Sequence, residues 1–117
     1  VEDLDTLVPV WLTFPEVAER LGIDATQVRR LVQDRYLVAA RRGECNVWSV
    51  PEALLVGDEP MQDLRGTLTV LADSGYDAEA SLRWLFTPDD SLPGTPVEAL
   101  RAGRKTEVRR RAQALAF

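Results

Sequence analysis

The chain has no histidine and only one cysteine among its 117 residues. Without an imidazole, the usual general base, the Ser-His-Asp arrangement and most zinc sites are excluded. A lone Cys45 excludes an internal disulfide, fits a reducing compartment, and reads as an ordinary turn residue rather than a reactive thiol. No apolar run approaches the ~18 residues that a membrane span needs, and no charged-then-apolar leader opens the chain. Glycine-rich phosphate loops and clustered metal ligands are also missing. The one adjacent carboxylate pair of interest, Asp89-Asp90, reads as a solvated turn. The expectation is therefore a cytoplasmic protein without membrane contact, metal, cofactor or enzymatic activity. With no internal repeat, no low-complexity segment and no coiled-coil heptads, it is expected to be a monomer or weak homodimer.

Acids outnumber bases by 19 to 14, a net charge of −5 that argues against a nucleic-acid partner until it is divided along the chain. Residues 13–50 carry six Arg against five acids, and residues 101–117 carry six bases against one acid. Residues 51–100 hold ten acids and two Arg. The local field, not the total, governs approach to a phosphate backbone, so positive segments keep such a partner open.

One of those segments is organised as two short helices and a ribbon. Thr13 can cap a helix, Pro15 suits its first turn, and Glu16 three residues on completes a capping box. Val17, Ala18 and Leu21 share a face. Gly22 supplies the left-handed stop, with Ile23 folding back on Ala18. Asp24 with Gln27 caps a second helix, expected over 25–34. At 100° per residue, Ala25, Val28, Leu31 and Val32 gather on its docked side and Thr26, Arg29, Arg30 and Gln33 on the other. Arg pairs with guanine edges, Gln with adenine, and Thr or Arg holds phosphate, which is what reading a major groove requires. Two β-prone stretches follow, Tyr36 to Ala40 and Val47 to Val50, with Gly43 and Asn46 as turn formers between them. Arg41 and Arg42 sit where the wing, 38–50, reaches the backbone or minor groove. Candidate DNA-binding residues are thus Thr26, Gln27, Arg29, Arg30, Gln33, Arg41 and Arg42. Any single Arg among them is equally an ordinary solvated side chain. It is the conjunction of tight glycine turn, paired arginines and basic ribbon that carries the reading.

Around this unit, residues 1–10 read as an acidic, aperiodic lead-in, with Val8, Val10 and Trp11 stapled on the first helix. Thr6 between acids could accept a phosphate, although nothing local demands it. Pro51 opens a short helical turn, 52–55. The polar break at 56–60 is the candidate boundary between residues 1–57 and 58–117. Beyond it, periodicity predicts about four helices. Leu64, Leu68 and Leu71 mark the first. The next is capped by Asp77 and carries Trp84-Leu85-Phe86; being consecutive, they cannot all face one core, so one either lies against the winged helix or is exposed for a partner, and packing between the two halves is the expectation. Thr95-Pro96 with Glu98 caps a third, closed by Gly103. The last puts Val108, Ala112 and Leu115 inward, and Arg109 and Arg110 outward. The basic run from Arg101 to Arg111 reads either as a solvated face offsetting the acidic stretch or as a second phosphate contact.

The segment LTFPEVAERLGIDATQVRRLVQDRYLVAARR resembles the winged helix-turn-helix of excisionase-like and MerR-like DNA-binding domains. It is more similar to a small actinobacterial family of winged-helix DNA-binding proteins. The segment LRWLFTPDDSLPGTPVEALRAGRKTEVRRRAQALAF resembles that family's C-terminal domain. The resemblance implies a mainly α fold in which a winged helix-turn-helix with a two-stranded β wing precedes a small helical bundle. It also implies double-stranded DNA as partner, contacted through Arg29, Arg30 and the wing, transcriptional or nucleoid-associated regulation, and no catalysis. The long dimerising helix and effector site of MerR-type regulators have no counterpart here. The tail also resembles the C-terminal domain of some antitoxins. The alternative is therefore a protein-interaction module whose C-terminal helical domain docks a protein partner.

Overall fold

The computed structural model describes residues 4–42, 46–89 and 94–115. Gly43 and Cys45 of the proposed wing bend, and Asp90 of the carboxylate pair, lie outside the described residues.

The lead-in is not aperiodic. Residues Leu4–Leu7 form a one-turn helix, α1, whose Leu4 is fully buried, as is Val8 just after it. Thr6 on this turn is exposed. Strand β1, Trp11–Thr13, then pairs antiparallel with a later strand, Leu12 opposite Val50 and Thr13 opposite Ser49. Of the expected staple, Val8 is buried and Trp11 packs against the core, but as a sheet residue, while Val10 is 44% exposed. Local sequence could not reveal this, because the pairing partner lies nearly forty residues away.

Thr13 ends β1 and caps helix α2, Phe14–Leu21. Its hydroxyl accepts the Glu16 N–H at 3.4 Å, and a Glu16 carboxylate oxygen accepts the Thr13 N–H at 2.9 Å. The Thr13 backbone N–H foremost, and the Thr13 hydroxyl after it, hold the exposed Glu16 carboxyl below its ordinary pKa. Gly22 stops the helix at φ 72°, and the Ile23 N–H closes on Ala18 O at 3.0 Å. Helix α3, Ala25–Gln33, starts at Asp24 with the reciprocal Asp24–Gln27 box. Arg35 at φ 66° turns the chain out of α3, and the Tyr36 N–H reaches back to Leu31 O at 2.9 Å. That left-handed exit makes Leu37, Val38 and Ala39 a buried connector rather than the start of a ribbon. The wing hairpin proper is β2, Ala40–Arg42, against β3, Val47–Pro51. With β1 it forms a three-stranded sheet in the order β1-β3-β2, one strand more than expected.

A 3-10 turn, Glu52–Leu54, leads into a second tight hairpin, β4 Leu55–Val56 with β5 Glu59–Pro60, around Gly57 at φ 63°. The polar break is thus a hydrogen-bonded turn. Among the described residues four helices follow: α4 Leu64–Asp73, α5 Ala78–Phe86, α6 Pro96–Arg101 and α7 Lys105–Ala114. Asp77 caps α5 through the Ala80 N–H, and Thr95 caps α6 through the Glu98 N–H. Leu85 and Phe86 are buried and Trp84 half-buried, with α1 lying against α5. Arg109 departs from expectation. Instead of pointing away, it is half-buried with its guanidinium laid over Gly66 of α4, where a side chain would collide with it.

Buried residues of both halves, among them Val28, Val50 and Leu54 on one side and Leu64, Leu82 and Val108 on the other, belong to one contiguous cluster. Each such side chain contributes about 1.5–3 kcal/mol through removal from water. Arginines fasten the halves further. Arg20 of α2 donates from Nε to Gly57 O at 2.9 Å, and its head lies 3.5 Å from Glu52. Arg101 of α6 donates from Nη1 to Ala53 O at 2.8 Å and Leu55 O at 3.0 Å. Arg65 of α4 donates from Nε to Asp34 O at 2.9 Å, at the end of α3.

Candidate nucleic-acid interface

Docking of α3 decides which side chains can reach a ligand. Val28 is fully buried and Leu31 and Val32 are half-buried, so the opposite side of the helix faces solvent. There Thr26, Arg29, Arg30 and Gln33 are all exposed, as the helical period requires. Ala25, placed on the docked side by the same periodicity, is exposed because it is the first residue of the helix and projects past the packing surface. Among the described residues, no carboxylate pairs with Arg29 or Arg30. Gln27 is divided in its duties. Its carbonyl oxygen accepts the Asp24 N–H at 3.0 Å, while its amide N–H donors remain for another partner.

The wing arginines separate, since neighbouring residues on a strand point to opposite faces. Arg41 lies opposite Trp48 in register, and its guanidinium sits 4.9 Å from that ring; both side chains are exposed. Arg42 is half-buried, 5.1 Å from the ring of Trp11 on the first strand. Each stacking of this kind contributes about 0.5–1 kcal/mol at exposed sites. It also narrows the rotamers of the guanidinium. Arg41 is therefore the outward cation of the wing, whereas Arg42 ties β1 to β2.

Acids frame this surface. Behind the wing, Asp77, the cap of α5, and Glu79 within it line a groove of about 340 Å³ with Arg41, Arg42 and Trp48. Along one flank of α3, a second groove of about 360 Å³ is walled by Leu21, Ile23, Leu31 and Pro60, with Arg30, Asp34 and Asp58 at its edges. Thr26, Arg29 and Gln33 line neither groove. At the far end of α3, Tyr36 is 43% exposed, with the Arg65 guanidinium 5.0 Å from its ring. Sequence reasoning passed over this pair. Arg65 is 31 positions from the carbonyl it binds and lies in the acidic stretch 51–100, so no local pattern marks it.

Among the described residues, no three His, Cys, Asp or Glu side chains come together in a way that could hold a metal ion, and no helix is long and apolar enough to cross a membrane.

A helical pair joined by a glycine turn, an exposed polar second helix and a hairpin at its side define a winged helix-turn-helix, here followed by a helical C-terminal unit. Residues 2–55 match the family model described as the winged helix-turn-helix domain of DNA-binding protein Rv2175c, and residues 61–116 match the Rv2175c C-terminal domain of unknown function. The chain belongs to this family. It is 39% identical to DNA-binding protein Rv2175c of Mycobacterium tuberculosis over 116 residues, covering 88% of this chain and 78% of that protein. Its fold matches the NMR structure of Rv2175c with a TM-score of 0.83 at 36% identity, over 92% of this chain and 82% of that one.

Proposed function

We propose that this chain binds double-stranded DNA as a transcriptional or nucleoid-associated regulator, as a monomer or weak dimer. In this reading α3 enters the major groove. Arg29, Arg30 and Gln33 reach base edges, while Thr26 and the Gln27 amide donate to nearby phosphate or base groups. Arg41 touches the backbone beside the groove, and Arg42 supports the wing that presents it. Residues 1–57 form the reading unit, and 58–117 brace it. The observation that carries the proposal is the outward face of α3, with Arg29 and Arg30 exposed and ion-paired to no carboxylate among the described residues, together with the exposed Arg41–Trp48 pair of the wing. A relative named as a DNA-binding protein supports it.

The test is a salt titration of binding to genomic and random duplexes. Wild type is expected to bind with an affinity that falls steeply as salt rises, because each phosphate contact releases counterions. Arg29→Ala with Arg30→Ala removes up to two base contacts at about 1–3 kcal/mol each, a loss of roughly 30-fold or more, with the thermal midpoint nearly unchanged. Full binding by a folded double variant would refute the placement of α3. A wild-type chain that ignores duplex DNA at low salt would refute the function itself.

A further inference from the structure

The DNA surface extends onto the C-terminal unit: we propose that Arg65 of α4 contacts a DNA phosphate at the C-terminal end of the recognition helix. This rests on the duplex-binding reading above and adds a contact from the half whose family model carries no function.

Helix α3 has nine residues and so spans about 14 Å, while the major groove is about 12 Å wide. A helix of that length laid across the groove with its first turn over the bases brings its last turn to the sugar-phosphate backbone. That end is electrically wrong for a phosphate. The helix dipole leaves about half a negative charge there, and Asp34 adds its carboxylate. Arg30, the basic residue of that last turn, is given to base edges in the reading above, so a phosphate here calls for a further cation.

Arg65 supplies it, from the other half of the chain. Its Nε donates to Asp34 O at 2.9 Å, and its plane lies 5.0 Å from the exposed Tyr36 ring. These two contacts fix the guanidinium and leave four N–H donors on Nη1 and Nη2, the fork that grips phosphate. Arg65 is exposed, and no carboxylate neutralises it among the described residues. Other cations of this half are engaged elsewhere. Arg101 binds two backbone carbonyls, Lys105 lies 3.6 Å from Asp63, and Arg109 is laid over Gly66. Arg65 thus combines a fixed head, free donors and a position beside the proposed groove-binding helix.

The test compares log–log salt slopes for a random-sequence duplex with full-length wild type, Arg65→Gln, Arg65→Lys and the exposed α7 control Arg111→Gln. Loss of one phosphate contact lowers the slope by about 0.9, equivalent to roughly fivefold weaker binding at 0.15 M salt. Arg65→Gln is expected to show that loss equally on genomic and random duplexes. Arg65→Lys, which keeps the charge, retains the slope, and Arg111→Gln matches wild type. A folded Arg65→Gln with the wild-type slope, or an equal drop in Arg111→Gln, overturns the proposal. Should Arg65→Gln not fold, wild-type NMR decides. The Arg65 Nε–H and Tyr36 ring resonances shift on adding duplex if the contact exists, and stay fixed while α3 resonances move if it does not. If Arg29→Ala with Arg30→Ala loses binding while Arg65→Gln keeps its slope, only the present inference falls. If wild type shows no salt-dependent binding, both fall.

Discussion

Arg101→Ala tests how the two halves are held together. The Arg101 Nη1 carries two hydrogens, and each is directed at a different carbonyl of the segment linking the sheet to the second hairpin, Ala53 O at 2.8 Å and Leu55 O at 3.0 Å. A hydrogen bond from a charged donor contributes about 1.5–3 kcal/mol, but the arginine is largely exposed and water can replace it at Ala53. Allowing about 1.5 kcal/mol for the part-buried Leu55 bond and about 0.5 kcal/mol for the exposed one, truncation should cost roughly 2 kcal/mol. For a chain of this size that corresponds to a fall in Tm of roughly 8 °C. Arg101→Lys, able to reach one carbonyl but not both, should recover about half. Far-UV circular dichroism and tryptophan fluorescence are the measurements. Trp48 reports on the wing and Trp84 on α5, in opposite halves. Because the buried cluster runs through both, the two signals are expected to melt together in wild type and variant alike. A change in Tm below about 2 °C, or a tryptophan signal that melts ahead of the helical signal, would refute the clamp and the shared core respectively.

Glu16 makes stability depend on pH through α2. Its folded pKa is depressed below 4.5 by the Thr13 donors, so its contribution is complete above the unfolded pKa and is lost as pH falls through the folded one. The Tm difference between wild type and Glu16→Ala should therefore shrink between about pH 6 and about pH 3, as followed by thermal melts; a constant difference would show that the carboxylate charge is irrelevant to the cap. Gly22→Ala meets no atom within 4 Å but must hold φ at +72°, so strain alone should cost about 1 kcal/mol, measured by urea denaturation, and an unchanged midpoint would contradict it.

The parts of the fold legible in the sequence were those written within a few residues of each other. Thr13 with Glu16, Gly22, Asp24 with Gln27, Asp77 and Thr95 are caps and stops whose donors and acceptors lie within one helical turn, and each is used as spacing predicts. The exposed side of α3 followed from the helical period as well. What could not be read depends on distant partners. Strand β1 exists because the edge of β3 accepts Leu12 and Thr13, and α1, with its buried Leu4, because it packs against α5. The same limit governs the cations. From sequence Arg41 and Arg42 are interchangeable, and Arg101, Lys105 and Arg109 form one basic run. In the fold each has a different neighbour: an exposed tryptophan, a half-buried one, two carbonyls, an aspartate and a glycine.

A net charge of −5 and a proposed polyanionic partner are reconciled by where the acids are held. Glu52, Asp63 and Glu79 lie within ion-pairing distance of Arg20, Lys105 and Arg83, and Asp24 and Asp77 accept backbone N–H groups at helix starts. Asp34 and Asp58 line the groove along one flank of α3, and Asp77 and Glu79 the groove behind the wing, while Arg29, Arg41 and Arg65 are all exposed. At physiological salt, charges more than about 8 Å from a phosphate are largely screened, so the acids of the far surface subtract little from affinity. At low salt they subtract more, because their field then reaches about 30 Å. The nearby acids act differently. They repel a duplex docked along the flank or behind the wing, and so restrict its orientation on the outer side of α3. Replacing Asp58 by Asn should therefore strengthen binding to random duplex by more than it strengthens binding to a selected site. Equal gains on both would mean that the acidic frame sets affinity alone and not the direction of approach.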